Sequence, residues 1–236
     1  MAENPSINPA HARGNDLLAE AAVAEIDPGM IVGLGTGLTA ARAIRALASR
    51  VRRENLAISC VCTSAAAENL ARDFALPILD FSRVESVDYL FDGADEIDHA
   101  FRMLKGQHGA LASQRLVARA SKRNIYLVGE VKFVERLGES ATLPIAVLPY
   151  ALSFIRCELR NLGFSGILRR KMDGEPFVSD LGHMIIDASL NGRDPADAAA
   201  LLDEVPGVVD HGLFLDEADE LLIENKDGSV RHLARA

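Results

Sequence analysis

The feature that most constrains this chain is a glycine-dense turn set between two elements of different period. Met30-Ile31-Val32 is a short apolar, β-branched run. Gly33-Leu34-Gly35-Thr36-Gly37-Leu38-Thr39 follows it, and Ala40 to Val51 then carries apolar residues at helical spacing. A strand, a tight loop and a helix in that order recur downstream. Ala57 to Cys62 reads as strand, Ala65 to Phe74 as helix, Pro77-Ile78-Leu79 as strand, and Tyr89-Leu90-Phe91 as a strand running into Asp92. Gln114 to Ala120 reads as helix and Ile125 to Val128 as strand, while Asp16 to Ile26 forms a helix that Asp27-Pro28-Gly29 breaks. Strands alternating with helices specify a parallel sheet covered by helices.

Past about residue 140 the rhythm changes. Tyr150 to Asn161 and Pro195 to Glu204 read as helices, and Gly166 to Arg170, His183 to Ser189 and Val208 to Leu215 as strands. Two helices among three or four strands without strict alternation describe a small α+β module of ferredoxin-like type. Leu221-Leu222-Ile223 offers one last strand for the first sheet, and Leu143 to Val147 is an apolar run for an interdomain core or a subunit contact. The expected architecture is α/β: a Rossmann-like parallel sheet domain (1–142 plus 217–236) with an inserted ferredoxin-like α+β subdomain (143–216).

Composition narrows the partners. The chain has 236 residues, 49% hydrophobic and 25% charged, which suits one or two folded domains. Asp plus Glu at 34 against Lys plus Arg at 25 leaves a net charge of −9, which repels a polyanion, so nucleic acid is not an expected partner. No stretch approaches a membrane span and the first fourteen residues lack a signal-peptide core, so no membrane partner and a cytoplasmic location are expected. Cys60, Cys62 and Cys157 fit neither a zinc knuckle nor a redox pair and read as buried thiols.

Three segments carry chemistry. Glycines at 33, 35 and 37 allow a tight turn whose free N–H groups, with a helix N-terminus, suit an anion such as phosphate. The same loop also reads as a plain strand-to-helix turn. The third glycine of a dinucleotide fingerprint would fall at Leu38, and no Gly-Lys-Ser/Thr follows, so dinucleotides and ATP lose ground. Asp92-Gly93-Ala94-Asp95-Glu96-Ile97-Asp98 begins where a strand ends, at the sheet edge where open α/β folds bind ligands. Its acids can hold sugar hydroxyls, shuttle protons, or bind a divalent cation with His99, although no cation-loop spacing is present. Lys105-Gly106-Gln107-His108-Gly109-Ala110-Leu111 places a lysine before a flexible loop and a helix start, where an ammonium can face an enolate-like charge. Lys132, past another strand end, can reach a phosphate.

Taken as a set, GLGTGLTA after a strand, Thr63-Ser64, DGADEID, LKGQHGAL, Lys132 and PGVVDHGLF before the last strand resemble the type A ribose-5-phosphate isomerases from about residue 16 onward. The resemblance implies interconversion of ribose 5-phosphate and ribulose 5-phosphate, a pentose phosphate pathway step, in a homodimer or homotetramer without metal or organic cofactor. It also implies a sugar phosphate as the small-molecule partner. By resemblance, Gly35, Thr36, Gly37, Leu38, Thr39, Ser64 and Lys132 belong to the phosphate end. Asp92, Gly93, Ala94 and Asp95 handle sugar hydroxyls and ring opening, and Lys105, Gly106 and Gln107 face the developing negative oxygen.

The family's base is a glutamate nine residues beyond the loop lysine, and here that position is Gln114. A carboxamide does not accept a proton near neutral pH, so Gln114 can hydrogen-bond a sugar but cannot take its C2 proton. The usual Lys-Gly-Gly-Gly loop reads Lys105-Gly106-Gln107-His108, the usual phosphate-loop serine is Leu38, the expected helix lysine is Asn15, and the acid three residues before Lys132 is Gly129. Three readings follow: an isomerase with His108 as relocated base, with Glu130 and Glu96 as weaker substitutes; an isomerase of another phosphorylated sugar; or a sugar-phosphate binder without turnover.

Overall fold

The structure, a computed structural model, describes residues 16–235. Along the chain, α1 (Leu17–Val23) leads to β1 (Ile31–Leu34), α2 (Leu38–Glu54), β2 (Ser59–Cys62), α3 (Ala65–Asp73) and β3 (Tyr89–Gly93). Then come β4 (Glu96–Ile97), β5 (Met103–Leu104), α4 (Leu111–Ala120) and β6 (Asn124–Gly129). β7 (Leu143–Val147), α5 (Leu152–Asn161), β8 (Gly166–Leu168), β9 (Met184–Ala188), α6 (Pro195–Asp203) and β10 (Val208–His211) follow. β11 (Leu213–Phe214), β12 (Glu220–Glu224) and β13 (Val230–Ala234) complete the chain.

Six strands form the main sheet in the order β13-β12-β6-β3-β1-β2. All its pairings are parallel except the edge strand β13, which runs antiparallel to β12. The order reverses between β1 and β3, and such a switch point opens a crevice at the carboxyl ends of the strands. The glycine loop leaves β1 there and Asp92 lies at the end of β3. Leu18, Val32, Leu34, Ile44, Leu47, Tyr89 and Phe91 are buried together between α1, α2 and the sheet. This follows from the alternation of apolar strands and one-sided helices in the sequence.

A second, four-stranded antiparallel sheet has the order β10-β7-β9-β8. With α5 and α6 it gives the β-α-β-β-α-β arrangement of a ferredoxin-like module. Leu143 to Val147 is its β7, paired on both sides and wholly buried, which places that apolar run in a sheet core. A small three-stranded ribbon, β11-β5-β4, lies between the two.

Several expectations are corrected. Pro77-Ile78-Leu79 forms a single bridge to Cys60 rather than a strand, because Pro77 has no N–H and Asp80 caps a 3₁₀ turn immediately after it. Val208 to Leu215 is two strands in different sheets, broken at Gly212. A side chain on Gly212 would meet the Lys105 carbonyl at 2.4 Å, so only glycine lets the chain cross there. The Lys105 N–H donates to the Gly212 carbonyl at 2.9 Å. Cys60 is buried and Cys62 half-buried, and burial pushes both thiols up to about 12, but Cys157 is exposed on the outer face of α5. Among the described residues, no helix is long and apolar enough to cross a membrane.

Candidate active site

The site is built around one buried carboxylate. Asp92 is completely buried at the end of β3. Its Oδ1 accepts from the Thr36 N–H at 2.9 Å and the Gly93 N–H at 2.7 Å. Its Oδ2 accepts from Lys105 Nζ at 3.0 Å and Gln114 Nε2 at 2.8 Å. Both oxygens are therefore occupied by protein donors, so Asp92 joins the glycine loop, the lysine loop and α4 in one charge-assisted network. Gly35 makes this possible: a Cβ there would lie 2.3 Å from Asp92 Oδ1.

Lys105 is 2% exposed. Besides Asp92, it donates to the Gly93 carbonyl, and its ammonium lies 5.0 Å from the Tyr126 ring centre and 5.6 Å from that of Phe214. A buried ammonium needs such compensation, and a carboxylate with two aromatic faces supplies it. Asp95 is half-buried, and its Oδ2 accepts from the Gln107 N–H at 3.0 Å.

Gln114 projects from the buried face of α4 and is 4% exposed. Its amide nitrogen is used on Asp92, while its Oε1 is buried without a hydrogen-bond partner. Such an orphan acceptor is costly unless a ligand or water donates to it. The position thus presents a carbonyl oxygen and no proton-accepting carboxylate.

The anion end lies at the start of α2. Gly37 is the N-cap residue, and no side chain caps the helix, so the first-turn N–H groups remain open. The Thr36 hydroxyl is spent beneath the loop on Thr63 Oγ1 and Ser64 Oγ, each at 2.7 Å, and Ser64 also caps α3. Leu38 is 85% exposed and adds nothing polar. Lys132 reaches toward the DGAD segment, donating to the Ala94 carbonyl at 2.9 Å, and Gly93 faces Thr39. The exposed His108 turns its ring onto the glycine loop: a Cβ built on Gly37 would lie 3.0 Å from its Cε1 and 3.4 Å from its Nδ1. The imidazole therefore bridges the lysine loop and the anion loop. Asn15 lies outside the described residues.

The other acids are engaged elsewhere. Glu96 is buried and accepts from the N–H groups of Gly138, Ser140 and Ala141, which makes it a loop anchor and removes it as a base. Glu130 pairs with Lys226, which removes it likewise. Asp98 binds Arg102, and His99 faces Glu135 and Phe133, so these two do not converge on a cation. Among the described residues, no group of three or more His, Cys, Asp or Glu is disposed to hold a metal ion.

Residues 59–228 match the profile of the ribose 5-phosphate isomerase A (phosphoriboisomerase A) family. A ribose-5-phosphate isomerase A from Sphingopyxis alaskensis is 42% identical over 222 residues, covering 93% of this chain and 96% of the relative. The chain belongs to the ribose-5-phosphate isomerase A family. A solved D-ribose-5-phosphate isomerase in complex with phospho-erythronic acid superposes with a TM-score of 0.88 at 33% identity, covering 93% of this chain and 97% of that one. The enzyme of this family from Methanocaldococcus jannaschii superposes with a TM-score of 0.87, also at 33% identity, covering 92% of this chain and 96% of that one.

Within this isomerase fold, sequence reading overlooked three contributors. Gly212 sets the Lys105 backbone, Ser113 Oγ ties α4 to the Thr63 carbonyl at 2.7 Å, and Arg169 grips the lysine loop. Gly212 lies inside the motif PGVVDHGLF and was available as a signal. Ser113 and Arg169 carry no local signature, because their partners are distant in sequence.

Proposed function

We propose that this chain is an aldose–ketose isomerase that interconverts ribose 5-phosphate and ribulose 5-phosphate through an enediolate, with its proton acceptor moved away from position 114. The carrying observation is the Asp92–Lys105–Gln114 cluster, which keeps the family's fixed charges while presenting an amide where a base is required. The phosphate sits on the open N–H groups of Gly37, Leu38 and Thr39, with Lys132 nearby. Asp95, with one carboxylate oxygen beyond its bond to Gln107, assists ring opening. Gln114 Oε1 accepts a sugar hydroxyl, which satisfies the buried orphan and orients the chain. Lys105 and the loop amides face the oxygen that becomes negative.

His108 takes the C2 proton in this reading. A neutral imidazole has a ring nitrogen that can accept a proton, and the His108 ring lies at the junction of the two loops, against Gly37. Loss of a positioned base lowers turnover by about 10² to 10⁴, so activity on ribose 5-phosphate is reduced relative to a glutamate-bearing enzyme unless the imidazole fully substitutes. A different phosphorylated sugar is the variant of this reading that the remodelled Gln107, His108 and Leu38 favour. Residues 143–216 act as the inserted domain, with 1–142 and 217–236 forming the sugar-phosphate domain. Assembly into two or four copies is supported by Leu148, Tyr150 and Phe154, apolar and exposed along one segment.

The test is exchange of the C2 proton of ribose 5-phosphate into deuterated buffer, followed by NMR for the parent and His108→Ala. Exchange by the parent that falls at least 100-fold in the variant supports the relocated base. Silence from the parent overturns it and leaves a sugar-phosphate binder, the reading that the orphan Gln114 carbonyl favours next.

A further inference from the structure

The lysine loop is held by a residue from the other sheet. Arg169 follows β8 and, with Phe177, belongs to the segment that joins β8 to β9. Its Nη1 donates to the Gly106 carbonyl at 3.0 Å and the Gln107 carbonyl at 2.8 Å. Its Nε donates to Asp187 Oδ2 at 2.8 Å, and Nη2 donates to Asp187 Oδ1, so the guanidinium is locked as a bidentate pair before it reaches the loop. The Phe177 ring, 5.7 Å from the Arg169 guanidinium carbon, fills the space that a side chain on Gly109 would need, the built Cβ lying 2.3 Å from Phe177 Cε1. From the same segment, Asp180 Oδ2 accepts the Ala65 N–H at the start of α3, at 2.8 Å.

These contacts decide where the loop amides point. All described peptides are trans, so each N–H lies opposite the carbonyl of the same peptide. Arg169 draws two successive carbonyls to its side, which sends the N–H groups of Gln107 and His108 to the other. The Gln107 N–H finds Asp95 at 3.0 Å. The His108 N–H has no partner among the described residues and leaves the loop on the side opposite Arg169, the side on which the Gln107 N–H meets Asp95.

We propose that Arg169 is a positioning residue that aims the His108 peptide N–H at the oxygen that gains negative charge during isomerisation. The antiparallel module thereby supplies part of the reaction geometry through a side chain that never meets the sugar. This inference rests on the isomerase reading above, but it concerns the backbone donor and is independent of which group takes the C2 proton. A donor aimed at developing charge contributes mainly to turnover, and misplacement by about 1 Å can cost roughly 100-fold.

The experiment uses the full chain with Arg169→Gln, and with Arg169→Lys, which keeps a charge for Asp187 but cannot fork between it and two carbonyls. Two readouts are taken: C2 proton exchange of ribose 5-phosphate, split into kcat and KM, and affinity for 4-phosphoerythronate beside inorganic phosphate. The proposal expects kcat to fall roughly 100-fold in Arg169→Gln and about 10-fold or more in Arg169→Lys. KM should move less than about threefold, affinity for 4-phosphoerythronate, whose carboxylate carries charge at the reacting end, should fall at least 10-fold, and inorganic phosphate binding should be unchanged. Arg169→Lys binding 4-phosphoerythronate as the parent does, or both probes weakening equally, overturns it. If the parent shows no exchange, the isomerase reading has failed, and the ratio of the two affinities still decides the role of Arg169.

Discussion

The two loops that make the site are stabilised in opposite ways. The glycine loop of residues 33–39 is held from within its own sheet: β1 sets its entry, α2 its exit, and Asp92 on the neighbouring strand accepts its Thr36 amide. The lysine loop of residues 105–109 is held from outside, by Gly212 at one end and by Arg169 and Phe177 from the antiparallel module at the other. The first loop is a local structure that carries its ligand chemistry in backbone N–H groups. The second is a tertiary structure whose geometry depends on residues more than 60 positions away. Within the second loop, Gly106 and Gly109 are fixed by positive φ and by Leu111 and Phe177, whereas the side chains of Gln107 and His108 are exposed.

The sharpest way to break the comparison is to remove the group common to both loops. Asp92→Asn leaves Lys105 buried without a counter-charge, and breaking a buried pair from one side typically costs about 3 to 5 kcal/mol. Urea unfolding should show that loss; a change below about 1 kcal/mol would mean the pair is not the shared anchor. Gly35→Ala comes next, since its methyl group overlaps Asp92 and overpacking of this kind costs about 1 to 3 kcal/mol. The same methyl at Gly129, where it meets nothing within 4 Å, should be close to neutral in the same assay.

At the anion end, Lys132→Ala should weaken binding of ribose 5-phosphate by about 10- to 100-fold, the worth of a charged hydrogen bond of roughly 1.5 to 3 kcal/mol. Leu38→Ser should tighten it by a smaller factor with no change in stability, because Leu38 is 85% exposed and packs on nothing that matters. Isothermal titration with both variants checks the pair, and equal affinities across all three proteins would remove the phosphate from this end.

The smallest effect is a pH dependence on the side of the lysine loop. His211, next to Gly212, is held below the usual imidazole range chiefly by burial and further by Arg115, against the pull of Asp210 and Asp203. Below about pH 6.5 the unfolded chain takes up a proton that the folded chain refuses. Stability is therefore present above that pH and is lost as the pH falls toward the folded value. Urea midpoints at pH 7.5 and 5.5 should fall with acidity, and His211→Gln should flatten the slope.

Most of the parallel sheet was legible because apolar strands and amphipathic helices alternate with glycine and proline punctuation. What escaped was non-local. Antiparallel β13 is a largely exposed edge strand of five residues with Arg231 and His232 inside it, and β4, β5 and β11 are two-residue pairings fixed by tertiary contact. In the site, residue types and positions were readable, while partners were not. Asp92 reads as a site carboxylate in sequence, but its four protein donors, from Thr36, Gly93, Lys105 and Gln114, could not be read there. Glu96 reads as a spare base and proves to be a loop anchor, since its donors at 138–141 give no local cue.

The proposed function depends on the arrangement around Asp92 and Lys105 being able to support an enediolate while position 114 carries an amide. Gln114→Glu tests it most directly, with C2 proton exchange of ribose 5-phosphate in deuterated buffer measured beside the parent. The account predicts a gain of about 10² or more in exchange rate, the usual contribution of a positioned base, with substrate affinity changed little. No gain in a variant that is folded and still binds the sugar phosphate would contradict it, because the geometry around Asp92 and Lys105 would then not be that of a working enediolate site.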